Sequence, residues 1–476
     1  MDNLAKFYIN GQWVEPGSDA RPFAVINPAT EASIGNVSLA GKSDVDKAIQ
    51  AARDAFDSFA QTSLEERLEM LQRIIDGYKA RMDDMADAIS QEMGAPRHTL
   101  AAKAQVPSGL GHFMTALKVG KEFQFERRMG RAVVRREPVG VCALITPWNW
   151  PMNQVACKVG PAIVAGCTMV LKPSEFAPLS SYVLTEIIDQ AGLPAGVFNM
   201  IYGDGAEVGP ILSSDPRIDM VSLTGSTRAG ASVSQEAAST FKRVSLELGG
   251  KSANIVLPDA DLEKAVAHGV QSMMGNTGQS CNAPSRMLVP EASLEQAEAI
   301  AAAACAKVKV GDPAAEETRV GPIANERQFK RVQSLIEKGI EEGAKLVCGG
   351  PGKPEGLEKG YYARPTVFSN VNNEMTIARE EIFGPVLVMI PYKTVDDAVR
   401  IANDSDYGLS GYVYGASEDE AAEVASRLRT GMVHLNGAAM DPAAPFGGYK
   451  HSGLGREWGE FGLEEFLETK SVFRTA

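Results

Sequence analysis

The chain has 476 residues, of which 44% are hydrophobic and 22% are charged, and its formal net charge is −13. This length exceeds what one hydrophobic core normally serves, so two or three domains are expected. An acidic chain lacks the basic surface that binding to nucleic acid or to an anionic membrane requires. No apolar run reaches the roughly 18 residues of a membrane-spanning helix.

The N-terminus and the cysteines indicate where the protein works. MDNLAKFYINGQWVEPG lacks the basic start and the apolar core of a secretory signal. The six cysteines are dilute and form no CxxC pair. This spacing predicts free thiols in a reducing compartment, and neither a disulfide framework nor a metal site. We therefore expect a cytoplasmic protein.

The first half of the chain predicts helices followed by an alternating region. Residues 43–62 carry apolar side chains at helical spacing behind a Ser/Asp cap, and residues 64–93 continue as one charged amphipathic helix. Over residues 139–248, short buried-strand patterns such as VGVCALI and TMVLK alternate with helical ones. This alternation is typical of βαβ units and a parallel sheet.

A second alternating region begins at SANIVLP, residues 252–258. Helices are predicted at 292–306, near 325–343 and at 395–403, and PVLVMIPY at 385–392 is typical of a buried strand. These patterns predict a second α/β domain.

Two β-like segments lie outside both alternating regions. They are RAVVRR at 131–136 and the tail near 469–474. An exposed strand edge is an aggregation hazard unless it is covered. The segments are therefore expected to pair with each other or with another subunit.

Two glycine-rich stretches follow predicted strands and open toward helices. GDGAEVG at 203–209 is close to a dinucleotide-binding fingerprint, but its third glycine comes one residue too late, which favours a plain turn. LTGSTRAG at 223–230 places Gly225 and Ser226 at a helix start, where free N–H groups and the helix dipole suit a phosphate. An ordinary N-cap by Ser226 or Thr227 is the alternative.

Two further turns follow predicted strands and carry polar side chains. Lys172 and Glu175 come just past the strand in VLKPSE. Ligands of α/β sheets bind at the carboxyl ends of strands, where a lysine and an acid can hold ribose hydroxyls; a solvated turn is the alternative. In TPWNWP at 146–151, Asn149 offers an amide donor of the kind that an oxyanion site needs, and an aromatic plug at a domain seam is the alternative.

Glu247 ends an otherwise apolar strand in LELGGK. Burial raises the pKa of a carboxyl group there and makes its carboxylate a usable base, although a buried salt bridge is an equally physical interpretation.

Cys281 lies in GNTGQSCNAPSR at 275–286, a run of small and polar residues that differs from the apolar surroundings of a core cysteine. A nucleophilic thiolate must be both stabilised and accessible, and a glycine-rich loop with free backbone N–H groups allows both. Taken alone, the residue fits a catalytic or a non-catalytic thiol equally well. No Cys–His pair can be read from the sequence, since only His268 lies near it along the chain.

Together these stretches resemble the aldehyde dehydrogenase superfamily. The likeness is carried, in the family's order, by TPWNWP, LKPSE, LTGST, LELGGK, GQSCNAPSR, EEIFGPV at 380–386 and PFGGYKHSGLGRE at 445–457. The N-terminal FYINGQWVEP and INPAT also fit, and Glu247 precedes Cys281 by 34 residues, as in the family. The ordered set covers nearly the whole chain and is far more specific than any single motif.

The resemblance implies a catalytic role for four residues. Cys281 would be the nucleophile and Glu247 the base that activates the hydrolytic water. Asn149 and the backbone N–H of Cys281 would form the oxyanion site, and Lys158 would relay a proton. The aldehyde would add to Cys281 as a thiohemiacetal, lose hydride to the nicotinamide and leave a thioester that water hydrolyses to the acid.

The implied cofactor is NAD, with NADP possible. Lys172 and Glu175 would hold the adenosine ribose, and a carboxylate at Glu175 would repel the 2′-phosphate of NADP. Gly225 and Ser226 would lie near the pyrophosphate. The other implied cofactor contacts are Glu381 at the nicotinamide ribose, Phe383 beside it, and Thr146, Trp148, Gly205, Gly230 and Leu248.

The resemblance also implies a substrate tunnel lined by Trp150, Cys157, Ser280 and Asn282. Cys157 stands where relatives often have a larger residue, which leaves the width of the tunnel open. Cys167 stands where many relatives have asparagine, and we interpret it as a packing variant. Ser280 and Asn282 flank the nucleophile, so no adjacent thiol can pair with it. Aliphatic, aromatic and semialdehyde substrates all stay open.

The implied fold is α/β, with two Rossmann-like parallel-sheet domains and a small β oligomerisation arm. Residues 1–118 and 139–248 would form the NAD(P)-binding domain, and residues 249–440 the catalytic domain. Residues 119–138 and 460–476 would form the arm, which joins subunits into a dimer or a dimer of dimers.

Three other functions are weighed against this one. A CoA-acylating aldehyde dehydrogenase would use CoA in place of water, but members of that branch generally lack a glutamate at the position of Glu247. A cofactor-independent cysteine hydrolase would turn over without NAD(P). A non-enzymatic scaffold protein would need a defective site, and no core position of the motifs is missing.

Overall fold

The computed structural model describes residues 3–475; residues 1, 2 and 476, which belong to the predicted segments 1–118 and 460–476, lie outside the described residues. The strands, in chain order, are β1 (Phe7–Ile9), β2 (Gln12–Val14), β3 (Arg21–Asn27), β4 (Ala32–Leu39), β5 (Glu126–Met129), β6 (Ala132–Pro138), β7 (Val141–Ile145), β8 (Thr168–Lys172), β9 (Phe198–Met200), β10 (Met220–Thr224), β11 (Arg243–Glu247), β12 (Ala253–Val256), β13 (Arg286–Pro290), β14 (Lys345–Cys348), β15 (Thr366–Ser369), β16 (Val386–Tyr392), β17 (Tyr407–Gly408), β18 (Ser410–Tyr414), β19 (Met432–Leu435), β20 (Tyr449–Lys450), β21 (Gly453–Leu454) and β22 (Leu467–Phe473).

The α-helices are α1 (Lys42–Phe59), α2 (Leu64–Ala80), α3 (Met82–Met93), α4 (Val106–Glu122), α5 (Pro151–Ala165), α6 (Pro178–Ala191), α7 (Gly205–Ser214), α8 (Thr227–Ala237), α9 (Leu262–Met274), α10 (Leu294–Ala306), α11 (Glu326–Glu341), α12 (Thr376–Arg379), α13 (Val395–Asn403), α14 (Glu418–Ser426) and α15 (Gly459–Glu465). A π-helix, Arg97–Gln105, precedes α4.

The first sheet has the strand order β2-β1-β9-β8-β7-β10-β11-β21. Its five central strands, β9 to β11 in this order, run parallel. Every residue of β7, β8 and β10 is buried, as expected for parallel strands with helices on both faces. The parallel sheet predicted from the alternation over residues 139–248 is confirmed. Antiparallel strands complete both edges of this sheet: β1 and β2, from the N-terminal part of the chain, lie at one edge, and β21, from the C-terminal part, lies at the other.

The second sheet has the order β14-β15-β16-β13-β12-β18-β19 and is parallel except for β14. Successive strand residues point to opposite faces. Thus Met287 packs with the helices α9 and α10, whereas Leu288 packs with α11, α13 and α14. The predicted second α/β region is confirmed, and the helices predicted near 292–306, 325–343 and 395–403 are α10, α11 and α13.

The third sheet has the order β22-β6-β5. The two β-like segments at 131–136 and 469–474 pair with each other: β22 runs antiparallel to β6, from Leu467 opposite Pro138 to Phe473 opposite Ala132. We call this three-stranded sheet the arm sheet.

The single helix predicted over 64–93 is wrong, because the structure has two. Arg81 separates α2 from α3 with φ −117° and ψ 18°, outside the helical range. Its guanidinium binds Asp84 and Glu186, which lies on α6 at 3.2 Å. The break lets both helices pack against α6, and this tertiary contact outweighs the continuous helical pattern.

Two classes of feature are absent from residues 3–475. No helix there is long and apolar enough to cross a membrane, and no group of three or more His, Cys, Asp or Glu side chains could hold a metal ion.

Candidate active site

Cys281 follows a strained loop between α9 and β13. Asn276, Thr277 and Gly278 have φ values of 49°, 58° and 69°, three consecutive left-handed residues of which only the last is glycine. The Asn276 amide donates to the carbonyl oxygens of Asn149 at 2.9 Å and Gln279 at 3.1 Å, and the Thr277 hydroxyl donates to Gly321 at 3.2 Å. Strain of this kind persists only where surrounding contacts hold it, which is common at functional sites. The loop therefore presents Cys281 from a fixed backbone.

The Cys281 side chain is half-buried in an apolar cluster. Its neighbours there are Cys157, Leu409, Phe446, Trp458 and Met432. Burial, with the nearby carboxyl groups of Glu381 and Glu247, raises the pKa of the Cys281 thiol far above its usual value. The resting thiol is therefore protonated, and a base must remove its proton before it can attack a carbonyl carbon.

Asn149 is buried at the start of α5 and is tied to the cysteine loop. Its side-chain amide donates to the Gln279 carbonyl at 2.9 Å. Its backbone carbonyl accepts a hydrogen bond from the Gln105 amide at 3.2 Å, in addition to that from Asn276. The next residue, Trp150, donates from its indole to the Ser280 hydroxyl at 2.8 Å. The structure thus brings Asn149, Trp150 and Ser280 together beside Cys281.

Glu247 ends β11 opposite Thr224 of β10, and its side chain is 1% exposed. Neither carboxylate oxygen has a hydrogen-bond partner among the described residues. Burial raises the pKa of this carboxyl group well above its usual value, Glu457 raises it further, and Lys158 and Arg456 oppose the shift. An ionised Glu247 would therefore be a strong base with both oxygens free to take a proton.

Lys158 lies on α5 and is fully buried. Its ammonium forms an ion pair with Glu457 and donates to the Ser222 hydroxyl at 2.8 Å. The thiol of Cys157 donates to the other Glu457 oxygen at 3.4 Å. Lys158, Glu457 and Glu247 therefore form one group of interacting charges behind the cysteine.

A second set of predicted residues lies at the carboxyl ends of β7, β8 and β10. Lys172 donates to the Gly203 carbonyl at 2.8 Å and pairs with Glu175 at 3.2 Å. The hydroxyls of Thr146 and Thr224 are buried, and neither has a partner within residues 3–475. This edge of the sheet therefore offers a cation, a carboxylate and two uncommitted hydroxyls.

The start of α8 adds backbone donors to this edge. Ser226 is the N-cap residue, and its hydroxyl accepts from the Ala229 N–H at 3.2 Å, so the predicted capping alternative is also realised. A Cβ built at Gly230 would lie 2.7 Å from Leu248, so glycine lets the helix pack closely on the end of β11. By contrast, nothing described lies within 4 Å of a Cβ built at Gly205, which begins α7.

Glu381 and Phe383 approach this edge from the second sheet's side. Glu381 accepts the Gly250 N–H at 3.0 Å, and a Cβ built at Gly249 would lie 2.5 Å from its other oxygen. Burial raises the pKa of Glu381 to about 7. Phe383 has φ 57°, and its ring meets Trp148 edge-on at 5.5 Å. The two α/β units therefore contact each other where Trp148 meets Phe383.

Asn282, another predicted tunnel residue, is half-buried. Its backbone carbonyl accepts from the Tyr412 hydroxyl at 2.8 Å, and its amide contacts the Met440 sulfur at 3.5 Å.

The family model described as "Aldehyde dehydrogenase family" matches residues 13–472. The chain belongs to this family. A "3-succinoylsemialdehyde-pyridine dehydrogenase" of Pseudomonas sp. is 58% identical over 472 residues, covering 99% of both chains. Among solved structures, a cysteine-to-alanine variant of aldehyde dehydrogenase C from Pseudomonas syringae, complexed with NAD+ and octanal, has 52% identity and a TM-score of 0.98, covering 99% of this chain and 97% of that one. An NAD+ complex of a Mycobacterium tuberculosis aldehyde dehydrogenase has 40% identity and a TM-score of 0.95, covering 99% and 98%.

Membership confirms the predicted α/β fold and the enzyme class. Oxidation of an aldehyde through a catalytic cysteine is the reaction of the aldehyde dehydrogenase family. Neither a CoA-acylating enzyme nor a cofactor-independent hydrolase is among the relatives described above.

Several residues of this aldehyde dehydrogenase site are not predicted from the sequence. The clearest is Glu457, the last residue of the motif PFGGYKHSGLGRE. An acidic residue at the end of a glycine-rich motif is the sequence signal that could have identified it. No comparable signal marks Ser222 and Thr224, inside the strand DMVSLTG, or the amides of Gln105 and Gln279.

Proposed function

We propose that this aldehyde dehydrogenase oxidises an aldehyde to the carboxylic acid with NAD, through a thiohemiacetal and then a thioester on Cys281. The observation that carries the proposal is the buried Glu247 carboxyl group, which has both oxygens uncommitted and acts on the pKa of the Cys281 thiol. A thiol and a strong, unpartnered base in one apolar site suit covalent catalysis followed by hydrolysis.

Each protein group has a distinct part in the proposed reaction. Glu247 takes the proton of the Cys281 thiol, and the sulfur adds to the carbonyl carbon of the aldehyde. The Asn149 amide and the Cys281 N–H stabilise the oxyanion that forms. After hydride has left, the thioester carbonyl stays at the same donors. Lys158 with Glu457 carries the thiol proton away from Glu247, which restores the carboxylate. Glu247 then removes a proton from water, which attacks the thioester, and the tetrahedral adduct expels the Cys281 thiolate and releases the acid.

The residues at the carboxyl edge of the first sheet fit a nicotinamide dinucleotide. Two buried, uncommitted hydroxyls, a helix N-terminus and the Lys172–Glu175 pair offer the donors and acceptors that such a ligand needs. NAD, when bound, accepts the hydride of the thiohemiacetal. The residues proposed to hold it are Thr146, Trp148, Lys172, Glu175, Gly225, Ser226, Gly230, Leu248, Glu381 and Phe383. Gly205, at the start of α7, is also proposed to contact the cofactor, and open space lies beside it.

The cofactor preference is the first prediction. With octanal, kcat/KM should be at least about tenfold higher for NAD than for NADP, because a carboxylate at Glu175 disfavours a second negative charge beside it. Glu175→Gln should lower the ratio of kcat/KM for NAD to kcat/KM for NADP, mainly by raising kcat/KM for NADP. Higher kcat/KM with NADP in the parent enzyme would contradict the assignment. Failure to oxidise octanal with either cofactor, together with hydrolysis of an ester at an undiminished rate without them, would instead support a hydrolase.

The substrate class follows from the apolar cluster around Cys281. We propose an aldehyde whose carbonyl is attached to an apolar chain, with Trp150, Cys157, Ser280 and Asn282 along the tunnel. The octanal bound by one relative and the aryl semialdehyde named for another support a class of this kind. Initial rates over straight-chain, aryl and carboxylate-bearing aldehydes would test it, and a preference for the carboxylate-bearing ones would contradict it.

The division of the chain into domains is also a proposal. The two large sheets support an NAD-binding domain from 1–118 and 139–248 and a catalytic domain from 249–440, although β21 returns residues 453–454 to the first sheet.

A cytoplasmic location is proposed as well. The six cysteines are free, in keeping with a cytoplasmic protein.

We predict that the arm sheet joins subunits into a dimer or a dimer of dimers. Phe473 and Met129, on β22 and β5, are 81% and 51% exposed, which is unusual for apolar side chains at a free sheet. Light scattering at micromolar concentration should give at least twice the chain mass, and Phe473→Asp should lower it. A parent protein that scatters as a monomer would contradict the prediction.

A further inference from the structure

The apolar cluster around Cys281 adjoins a crevice. This crevice is lined by Cys157, Trp458, His112, Pro161 and Leu463, among others. It is so narrow that it admits about one water molecule at most. Cys157 and Trp458 contribute both to the cluster and to the lining of the crevice. These two side chains therefore form the wall where the cluster and the crevice meet.

The Trp458 ring forms most of that wall, because a cysteine side chain is small. The indole stacks on Phe446 with ring centroids 4.5 Å apart and an interplanar angle of 28°. Its other neighbour is the imidazole of His112, at 4.8 Å and 51°. Burial lowers the pKa of His112 to about 4 and its Nε2 lies 2.9 Å from the Asn153 amide, so a neutral ring packs against the indole. Trp458 is thus in contact with two flat side chains.

The backbone at Trp458 is strained. Its φ of 71° and ψ of 154° lie in a region that is essentially restricted to glycine. The preceding residue fixes this geometry, because Glu457 and Phe446 exchange two backbone hydrogen bonds of 2.7 and 2.8 Å. A bulky side chain kept in a glycine conformation indicates that the ring has a use at this position.

We propose that Trp458 is a specificity-determining residue that closes the side of the substrate tunnel left open by the small Cys157, and thereby restricts the enzyme to slender aldehydes. The inference rests on the proposed function, since it concerns the aldehyde bound at Cys281. Wide acyl groups, such as a cyclohexyl ring attached to the carbonyl, would need the space that the indole occupies. Straight chains would pass it.

Trp458→Gly tests this directly. Heptanal and cyclohexanecarbaldehyde have the same number of carbon atoms and differ in width. The variant should raise the ratio of kcat/KM for cyclohexanecarbaldehyde to that for heptanal by at least about tenfold, which is the usual size of a one-methylene effect in an apolar pocket. Glycine suits the backbone conformation, so relief of strain offsets part of the lost packing. Trp458→Phe should shift the ratio less and in the same direction.

Two further measurements separate the possible failures. Trp13→Phe, which changes a tryptophan packed against Tyr8 and Tyr182 in the first sheet, should leave the ratio unchanged. Heptanoate and cyclohexanecarboxylate should each protect Cys281 from an alkylating reagent. The ratio of the two degrees of protection compares the narrow and the wide acyl group without turnover. Failure of the parent enzyme to oxidise any aldehyde would count against the proposed function alone. A ratio within twofold of the parent in both Trp458 variants, by rates and by protection, would overturn the role of Trp458.

Discussion

Cys281→Ala should lower aldehyde oxidation by more than about 10⁴-fold, because no sulfur remains to add to the carbonyl carbon and no thiohemiacetal can release hydride. Removal of a nucleophile from an enzyme that forms a covalent intermediate costs up to about 10⁶-fold in kcat. The side chain lies in the apolar cluster and lacks the structural hydrogen bonds of the neighbouring loop, so the fold should persist. Formation of NADH under saturating octanal is the measurement, with thermal unfolding as the check on structure.

Two variants bracket this result. Cys348→Ala removes another half-buried free thiol, on the edge strand β14, and should keep full activity. Asn149→Ala should lower kcat by about 10²–10³-fold, the usual loss of one oxyanion donor, and should still form an adduct on Cys281. Residual turnover above one-tenth of the parent in Cys281→Ala would show that another group is the nucleophile.

The sheets were predictable where local pattern carries the information. Strands such as β7 and β8 are buried on both faces and therefore appear as continuous apolar runs between helical patterns. The sequence does not predict β1 and β2, which have three residues each. They pair with each other, and β1 joins β9 only after the intervening chain has folded. The helix break at Arg81 has the same origin, since its contact with Glu186 lies far away in sequence.

The site divides in a similar way. Motifs that lie at strand ends predict Asn149, Glu247 and Cys281, because the carboxyl ends of parallel strands converge. Glu457 is not predicted, although it contacts Lys158 directly. The two residues are 299 positions apart and meet only because β21 joins the first sheet and β22 joins the arm sheet. The same return of the chain brings Trp458 against Cys157, so the width of the tunnel could not follow from Cys157 alone.

Glu247→Gln should separate acylation of Cys281 from hydrolysis. The amide preserves the shape of the side chain but cannot take a proton from water, so deacylation should slow by about 10²–10⁴-fold. The variant should give a burst of NADH near one equivalent per active site and then very slow turnover. Intact-protein mass spectrometry should show the thioester, and Cys281→Ala should show neither burst nor adduct. Because Glu247 also deprotonates the thiol in the proposed reaction, the burst should be slower than in the parent but should end in the same adduct.

The pH dependence gives the second readout of Glu247. Burial and Glu457 raise the pKa of the Glu247 carboxyl group, and only its ionised form can act as a base. Deacylation in the parent should therefore accelerate as the pH rises through that pKa, and this dependence should vanish in Glu247→Gln. Glu92→Gln is the matched control, since Glu92 is equally buried but holds the backbone N–H of Leu179 and Ser180 at the start of α6. Steady turnover by Glu247→Gln, with the parent's pH profile and no accumulated thioester, would mean that another group activates the water.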